Sequence, residues 1–122
     1  MNKLTFQIND MRLRSTNIQL RGRSIGAILA KASKTKKEKA IAYRNMLSIR
    51  NEIEPAYVIT LTRISPRKLD SGDNLNGALK SIRDGIAQAL RVDDATPLIE
   101  WRYKQDFASK KYAVLVEIER TP

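Results

Sequence analysis

Four aspartates, Asp70, Asp73, Asp93 and Asp94, stand at the two ends of one amphipathic run in a chain whose formal net charge is +10. Carboxylates gathered beside a basic surface repel phosphate unless a cation stands between them. Mg²⁺ takes a few carboxylate oxygens together with phosphate oxygens and water, so this set suits metal-assisted chemistry on a phosphodiester. The chain has no His and no Cys. That removes the commonest general base, the usual zinc ligands and any disulfide. Catalysis would run on Asp, Glu, Lys, Arg or Tyr, or on a hard metal ion.

Each acid also has a plain structural role to fill. Asp73 or Ser71 suits the N-cap of the helix, against the positive end of its dipole. Asp93 and Asp94 suit a turn between helix and strand. At about 100° per residue, Asp73, Lys80 and Asp84 fall opposite the apolar stripe, where Lys80 and Asp84 make an i,i+4 pair. It is the combination of acids that points to a site. Seventeen helical residues span roughly 25 Å. The chain must therefore turn back before Asp93 or Asp94 can approach Asp73. The expectation is a helix that stops early, near Ala87, or a site shared between two copies of the chain.

The basic charge is unevenly placed. Residues 1–50 hold twelve Lys or Arg against two acids, Asp10 and Glu38, while residues 51–122 hold eleven of each. So lopsided an excess suits a polyanion, because each neutralised phosphate releases condensed counterions. A length of 122 residues, with 42% hydrophobic and 30% charged residues, fits one globular domain. No window approaches the roughly 20 apolar residues that span a bilayer, and MNKLTFQINDM lacks a signal-like apolar stretch. The expectation is a cytoplasmic protein with no membrane partner.

The elements that must position these residues follow from periodicity. Lys3–Ile8 alternates as a half-buried strand. Residues 9–34 are ambiguous, and SIGAILAKAS reads either as a loop with a short strand or as a short helix. Thr35 suits the cap of a helix over Lys36–Arg50, which Pro55 closes off. Tyr57–Ile64 is a strand ended by Pro66. The 74–90 helix is clearest: Leu75, Ala78, Leu79, Ile82, Ile86, Ala89 and Leu90 form one apolar stripe. Ile99–Tyr103 and Tyr112–Glu119 then alternate as strands, with KQDFASKK between them. The fold class expected is α+β, one domain over residues 1–122, with a mixed, mostly antiparallel sheet and two main helices packed on it.

Taken in order, these residues resemble the RusA type of Holliday-junction resolvase, found largely in phages and prophages. The resemblance covers most of the chain. It is carried by RGR at 21–23, AYRN at 42–45, SPRKLD at 65–70, D-N-L at 73–75, Asp-Asp at 93–94 and a closing two-strand pair. The D-N-L followed about twenty residues later by Asp-Asp is its most specific part. Two departures stand out. The family pattern has one residue between its first two acids, where this chain has Ser71 and Gly72. The family's helix lysine sits one turn after the second acid, where this chain has Gly77, so Lys80 is the substitute.

The resemblance implies a homodimeric, Mg²⁺-dependent endodeoxyribonuclease that resolves four-way junctions by symmetric cleavage in recombination and repair. It implies a phage or prophage gene expressed in a bacterial cytoplasm. The catalytic set carries over to Asp70, Asp73, Asp94 and Lys80. The metal ligands are Asp70, Asp73 and a member of the Asp93/Asp94 pair, with Asp94 preferred. Arg12, Arg14, Arg21, Arg23, Lys34, Lys36, Lys37, Lys39, Arg67 and Lys68 are the candidates to grip the DNA backbone. The alternative is a non-catalytic basic nucleic-acid-binding phage protein in which the acids serve as caps and turns. A basic assembly protein without nucleic acid is the more distant third.

Overall fold

A computed structural model describes residues 3–13, 25–52, 55–69 and 73–121, with the side chains of 25–31 and 73–74 outside the description. Four strands and two long helices follow in the order β1 (Lys3–Asn9), α1 (Ile25–Ile49), β2 (Tyr57–Ser65), α2 (Asp73–Leu90), β3 (Ile99–Phe107) and β4 (Ala113–Arg120). The strands form one sheet in the order β1-β4-β2-β3. β4 is antiparallel to both β1 and β2, and β2 is parallel to β3. This is the expected α+β class, with a mixed and mostly antiparallel sheet. No helix among the described residues is long and apolar enough to cross a membrane.

The expected closing two-strand pair is not formed, since β3 and β4 are not neighbours. Composition explains why. β4 brings Ala113, Val114, Val116 and Ile118, all fully buried, and takes a central place. β3 carries Glu100, Arg102, Lys104 and Asp106 on one exposed row, and charge of that kind belongs on an edge strand. Parallel pairing of β3 with β2 requires a long crossover, which α2 supplies.

Strand residues of a single face enter the core: Ile8 from β1, Tyr57, Ile59 and Leu61 from β2, Ile99 from β3, and Val114, Val116 and Ile118 from β4. The helices cover that face through Ala42 and Met46 of α1 and Leu75, Leu79, Ile82 and Ile86 of α2. Helix α1 begins at Ile25, so SIGAILAKAS is mostly helical and Thr35 sits inside the helix rather than capping it. The Ala-rich approach runs into KKEK with no proline to stop it. One β-branched residue costs a helix only a few tenths of a kcal/mol, too little to divide it.

The two helices run side by side in the same direction, because their contacts ascend together. Ser81 Oγ donates to Glu38 Oε1 at 2.9 Å, Gly85 meets Ala42, and Arg50 Nη1 donates to the Ala89 carbonyl at 3.1 Å. A Cβ at Gly85 would lie 2.4 Å from the Lys39 carbonyl oxygen and 3.0 Å from Ala42 Cβ. The crossing is that close because residue 85 has no side chain. Glu38 is buried beside it, and that burial pushes its carboxyl above the usual range. The Ser81 hydroxyl and the Lys34 ammonium, 3.9 Å away, pull it back in part.

Gly85→Ala should destabilise the protein by about 1–3 kcal/mol, since backbone rather than a flexible tip must move. That exceeds the roughly 1 kcal/mol that alanine gains in helix propensity. A urea midpoint equal to or above that of the wild type would refute the close crossing. Glu38 gives a pH-dependent expectation. Its folded pKa is raised, so its contribution to stability is full below the ordinary glutamate value, about 4.3, and is lost as pH rises through the folded pKa. Glu38→Gln removes the charge and keeps an acceptor for Ser81. Its melting temperature should match the wild type near pH 4 and exceed it at pH 7.5. Equal gaps at both pH values would show that the carboxylate carries no burial cost.

Candidate functional site

Helix α2 runs to Leu90 rather than stopping near Ala87, and the chain still returns along it. Arg91 adopts a left-handed backbone, φ 60°. Its N–H donates to the Gln88 carbonyl and the Val92 N–H to the Ala87 carbonyl, both at 3.1 Å. This is the Schellman pattern, which satisfies the last carbonyls and reverses the chain. Val92 packs against the core, and residues 93–98 lead back beside the helix to β3.

The two acids after this turn part company. Asp93 Oδ1 accepts from the Ala95 N–H at 2.9 Å, and the Asp93 carbonyl accepts from the Thr96 N–H at 3.0 Å. The Ala95 amide, together with the adjoining Asp94 side chain, holds the Asp93 carboxyl below the usual carboxylate range. Asp93 is thus the turn residue. Asp94 faces α2, where its Oδ2 pairs with Arg83 Nη2 at 3.0 Å. It lines a cleft of about 250 Å³ with Asn76, Gly77, Lys80 and Arg83.

That cleft brings Asp94 to the first half of α2. Asp73 opens the helix, and positions 73, 77 and 80 share one strip of its surface. The Asp73 side chain lies outside the described residues, as do Asp70 and Ser71. Lys80 is exposed and reaches Asp84 Oδ2 at 3.0 Å, the i,i+4 pair that its spacing requires. Among the described residues no three acids stand close enough to hold a metal. The described oxygen donors at the cleft are the Asp94 carboxylate and the Asn76 amide, hard rather than soft ligands, beside the cations of Lys80 and Arg83.

Sequence reasoning missed Arg83, which anchors the acid. Its Nη1 donates to the Tyr103 hydroxyl at 2.8 Å, and its guanidinium lies over the Trp101 ring, 5.5 Å from the centroid. Burial alone would lower the Arg83 pKa, but Tyr103, Asp94 and Asp84 outweigh it and raise the value. Trp101 Nε1 in turn donates to the Asp94 carbonyl at 3.0 Å. Gln105, two residues beyond Tyr103, accepts from the Leu69 N–H and donates to the Leu69 carbonyl, both at 2.8 Å. The available signal was alternation: Trp101, Tyr103 and Gln105 all project from one face of β3, and each carries a polar tip.

A second anchor lies at the far end of β2. Arg63 is buried, and its partners are carbonyls. Nε and Nη2 donate to Leu13 at 3.3 and 3.2 Å, and Nη1 donates to Arg67 at 2.7 Å. One guanidinium so ties the end of the β1 segment to the segment that precedes Asp70.

The basic candidates divide. Lys36, Lys37 and Lys39 are exposed on α1, and Arg67 and Lys68 are exposed after β2. Arg12 lies over the Tyr112 ring, 5.1 Å from its centroid, while Lys34 Nζ donates to the Arg12 carbonyl at 2.5 Å. Arg14, Arg21 and Arg23 lie outside the described residues. No protein-family model matches the chain, and no curated protein matches it.

Proposed function

We propose that this chain is a Mg²⁺-dependent endonuclease of the RusA type, which cuts four-way DNA junctions as a two-fold dimer. The observation that carries the reading is the return of Asp94 to the cleft with Asn76, Gly77 and Lys80, on the strip of α2 that Asp73 opens. A lone acid in a basic protein is ordinary. An acid brought back some ten residues along a helix, and aimed at a second acid's strip, supports a shared ligand site.

When bound, Mg²⁺ supplies water activation and stabilisation of the leaving oxygen. The chain's own residues do the rest. Asp94 offers carboxylate oxygen to the site while Arg83 fixes its orientation, and Asp70 and Asp73 complete the ligand set. Lys80 stands at the same cleft to offset phosphate charge. Arg12, Lys36, Lys37, Lys39, Arg67 and Lys68 meet the DNA backbone, joined by Arg14, Arg21, Arg23 and Lys34. A C₂ dimer presents two equivalent sites to two equivalent strands, as symmetric cleavage requires. The setting is a phage-infected or lysogenic bacterial cytoplasm, in recombination and repair.

A second reading has its own observation: every described acid near the cleft has a structural partner. Asp84 pairs with Lys80, Asp94 with Arg83, and Asp93 with its own turn. On that reading the chain binds nucleic acid without cutting it.

One experiment separates the two. The wild type should cleave a synthetic four-way junction with Mg²⁺ and not with EDTA. Asp94→Asn should lose cleavage while binding the junction as well as, or better than, the wild type in EDTA, because a repulsive charge has gone. Asp93→Asn should keep cleavage and lose about 1 kcal/mol of stability or less. Wild-type cleavage rates in Asp94→Asn would refute its role as a ligand. No cleavage by any form, with binding intact, would establish the non-catalytic reading.

A further inference from the structure

We propose that the end of the sheet where β2 and β3 finish binds a DNA strand whose bases are unpaired. Phe107 stacks on a base there, and the cations around it hold the flanking phosphates. The inference rests on the reading of the chain as a DNA binder. It draws on neither the cleft at Asp94 nor a metal. Phe107 is the last residue of β3 and is 71% exposed, the most of any large apolar side chain among the described residues. By alternation it belongs to the row of Trp101, Tyr103 and Gln105. Trp101 and Tyr103 pack against the core and Gln105 holds Leu69, whereas Phe107 stands outside that cluster. A single exposed apolar side chain is ordinary on a protein surface. This one is set among cations.

Three segments meet at this end of the sheet. The Ala108 N–H donates to the Ser65 carbonyl at 3.2 Å as the chain leaves β3. The Met11 N–H donates to the Tyr112 carbonyl at 3.1 Å as the chain enters β4. The connection between them crosses the end of β2, because β2 stands between β3 and β4. Residues 10–12, 66–68 and 108–112 are thus gathered together. They carry Arg12, Arg67, Lys68, Lys110 and Lys111, all exposed, against one acid, Asp10. Asp106, beside Phe107, projects from the opposite face of β3. Arg67, Lys68, Lys110 and Lys111 form no ion pair among the described residues. Lysines alone would suit any polyanion. An exposed ring among them suits a strand whose bases have left the stack, because every base then offers a π-face beside its phosphate. A duplex hides those faces and offers phosphate alone.

The test measures binding by the full-length chain, in EDTA, to three probes: a single-stranded oligonucleotide, a synthetic four-way junction and a duplex. Phe107→Ala should weaken single-strand binding about tenfold, with duplex binding within about twofold of the wild type and the salt dependence unchanged. Phe107→Trp should restore the loss, since it keeps a ring. Replacing Lys110 and Lys111 together by Ala should do the converse. Its slope of log affinity against log salt on the single strand should fall by roughly 1.4. A loss in Phe107→Ala on both junction and single strand assigns the contact to bases that open at a branch point as well as to free strands. A loss on the single strand alone assigns it to free strands. Affinity within about twofold of the wild type on both would overturn the proposal, as would an equal loss on the duplex. An unchanged salt slope in the double lysine variant would overturn the assignment of the phosphates. Unchanged DNA affinity with a fall from dimer to monomer in sedimentation would show that a second copy covers the ring, which overturns the proposal too. Failure of the wild type to bind any probe would overturn the DNA-binding reading and this inference together, a result visible before any variant is made. Should Phe107→Ala melt below the assay temperature, Phe107→Leu keeps the apolar bulk without the π-face and carries the same expectations.

Discussion

Because side chains alternate along a strand, Trp101, Tyr103 and Gln105 stand on the same face of β3, about 7 Å apart, and each ends in a polar group that reaches a different segment of chain. The indole takes the Asp94 carbonyl, the phenol takes Arg83, and the carboxamide takes Leu69. Register decides all three at once. A one-residue slip of β3 against β2 would turn this row to the outer face and bring Glu100, Arg102, Lys104 and Asp106 inward, where their burial is costly. The pairing that forms the sheet is therefore also the pairing that sets these three contacts. Edge placement suits this role, because the inner row of an edge strand is covered by helix on one side and remains open to a cleft on the other.

Around that row the charges are arranged so that few stand alone. Arg83 is flanked by Asp94 and backed by an aromatic face, and Lys80 and Asp84 complete an alternation along α2. The exposed Lys80–Asp84 pair contributes little to stability, since solvent screens it. The more buried guanidinium of Arg83 matters for geometry: an arginine fork held by a phenol and a ring fixes where a carboxylate can sit. Arg63 applies the same device with carbonyls as acceptors. Arg63 trades solvent for directed hydrogen bonds at all three nitrogens. Arg83 does so through Nη1 and Nη2 and leaves Nε buried without a hydrogen-bond partner among the described residues. Arg83 holds the connection that carries Asp94 back to α2, and Arg63 holds the segments at Leu13 and Arg67.

Much of this architecture was legible in the sequence. The stripe from Leu75 to Leu90 placed α2 within a residue, and alternation placed β1, β2 and β4. The pairing of β3 was not legible, because alternation reports a strand's two faces and says nothing of which neighbour it takes. The start of α1 was hidden by the low contrast of SIGAILAKAS, where alanine and serine blur any period. Gly85 reads as a weak spot in a helix until the Lys39 carbonyl is seen against it. For the site, residue type drew attention to Asp93 and Asp94 together. Only the local hydrogen bonds distinguish them. Gln105 carried no signal beyond its place in the alternation, since a glutamine there has the same spelling whether it meets water or a backbone.

The length of α2 posed the sharpest geometric question. A helix of 18 residues would leave acids at its two ends about 27 Å apart if the chain simply continued. The Schellman turn at Arg91 and Val92 removes that separation without shortening the helix. Four residues beyond Leu90, at about 3.3 Å each, cover the distance back to Arg83, and the cleft extends the approach to Gly77 and Asn76. A residue other than glycine in the left-handed region carries a strain cost, here offset by the two backbone hydrogen bonds and by Val92 entering the core. Asp94 and the opening of α2 are thus brought together within one chain.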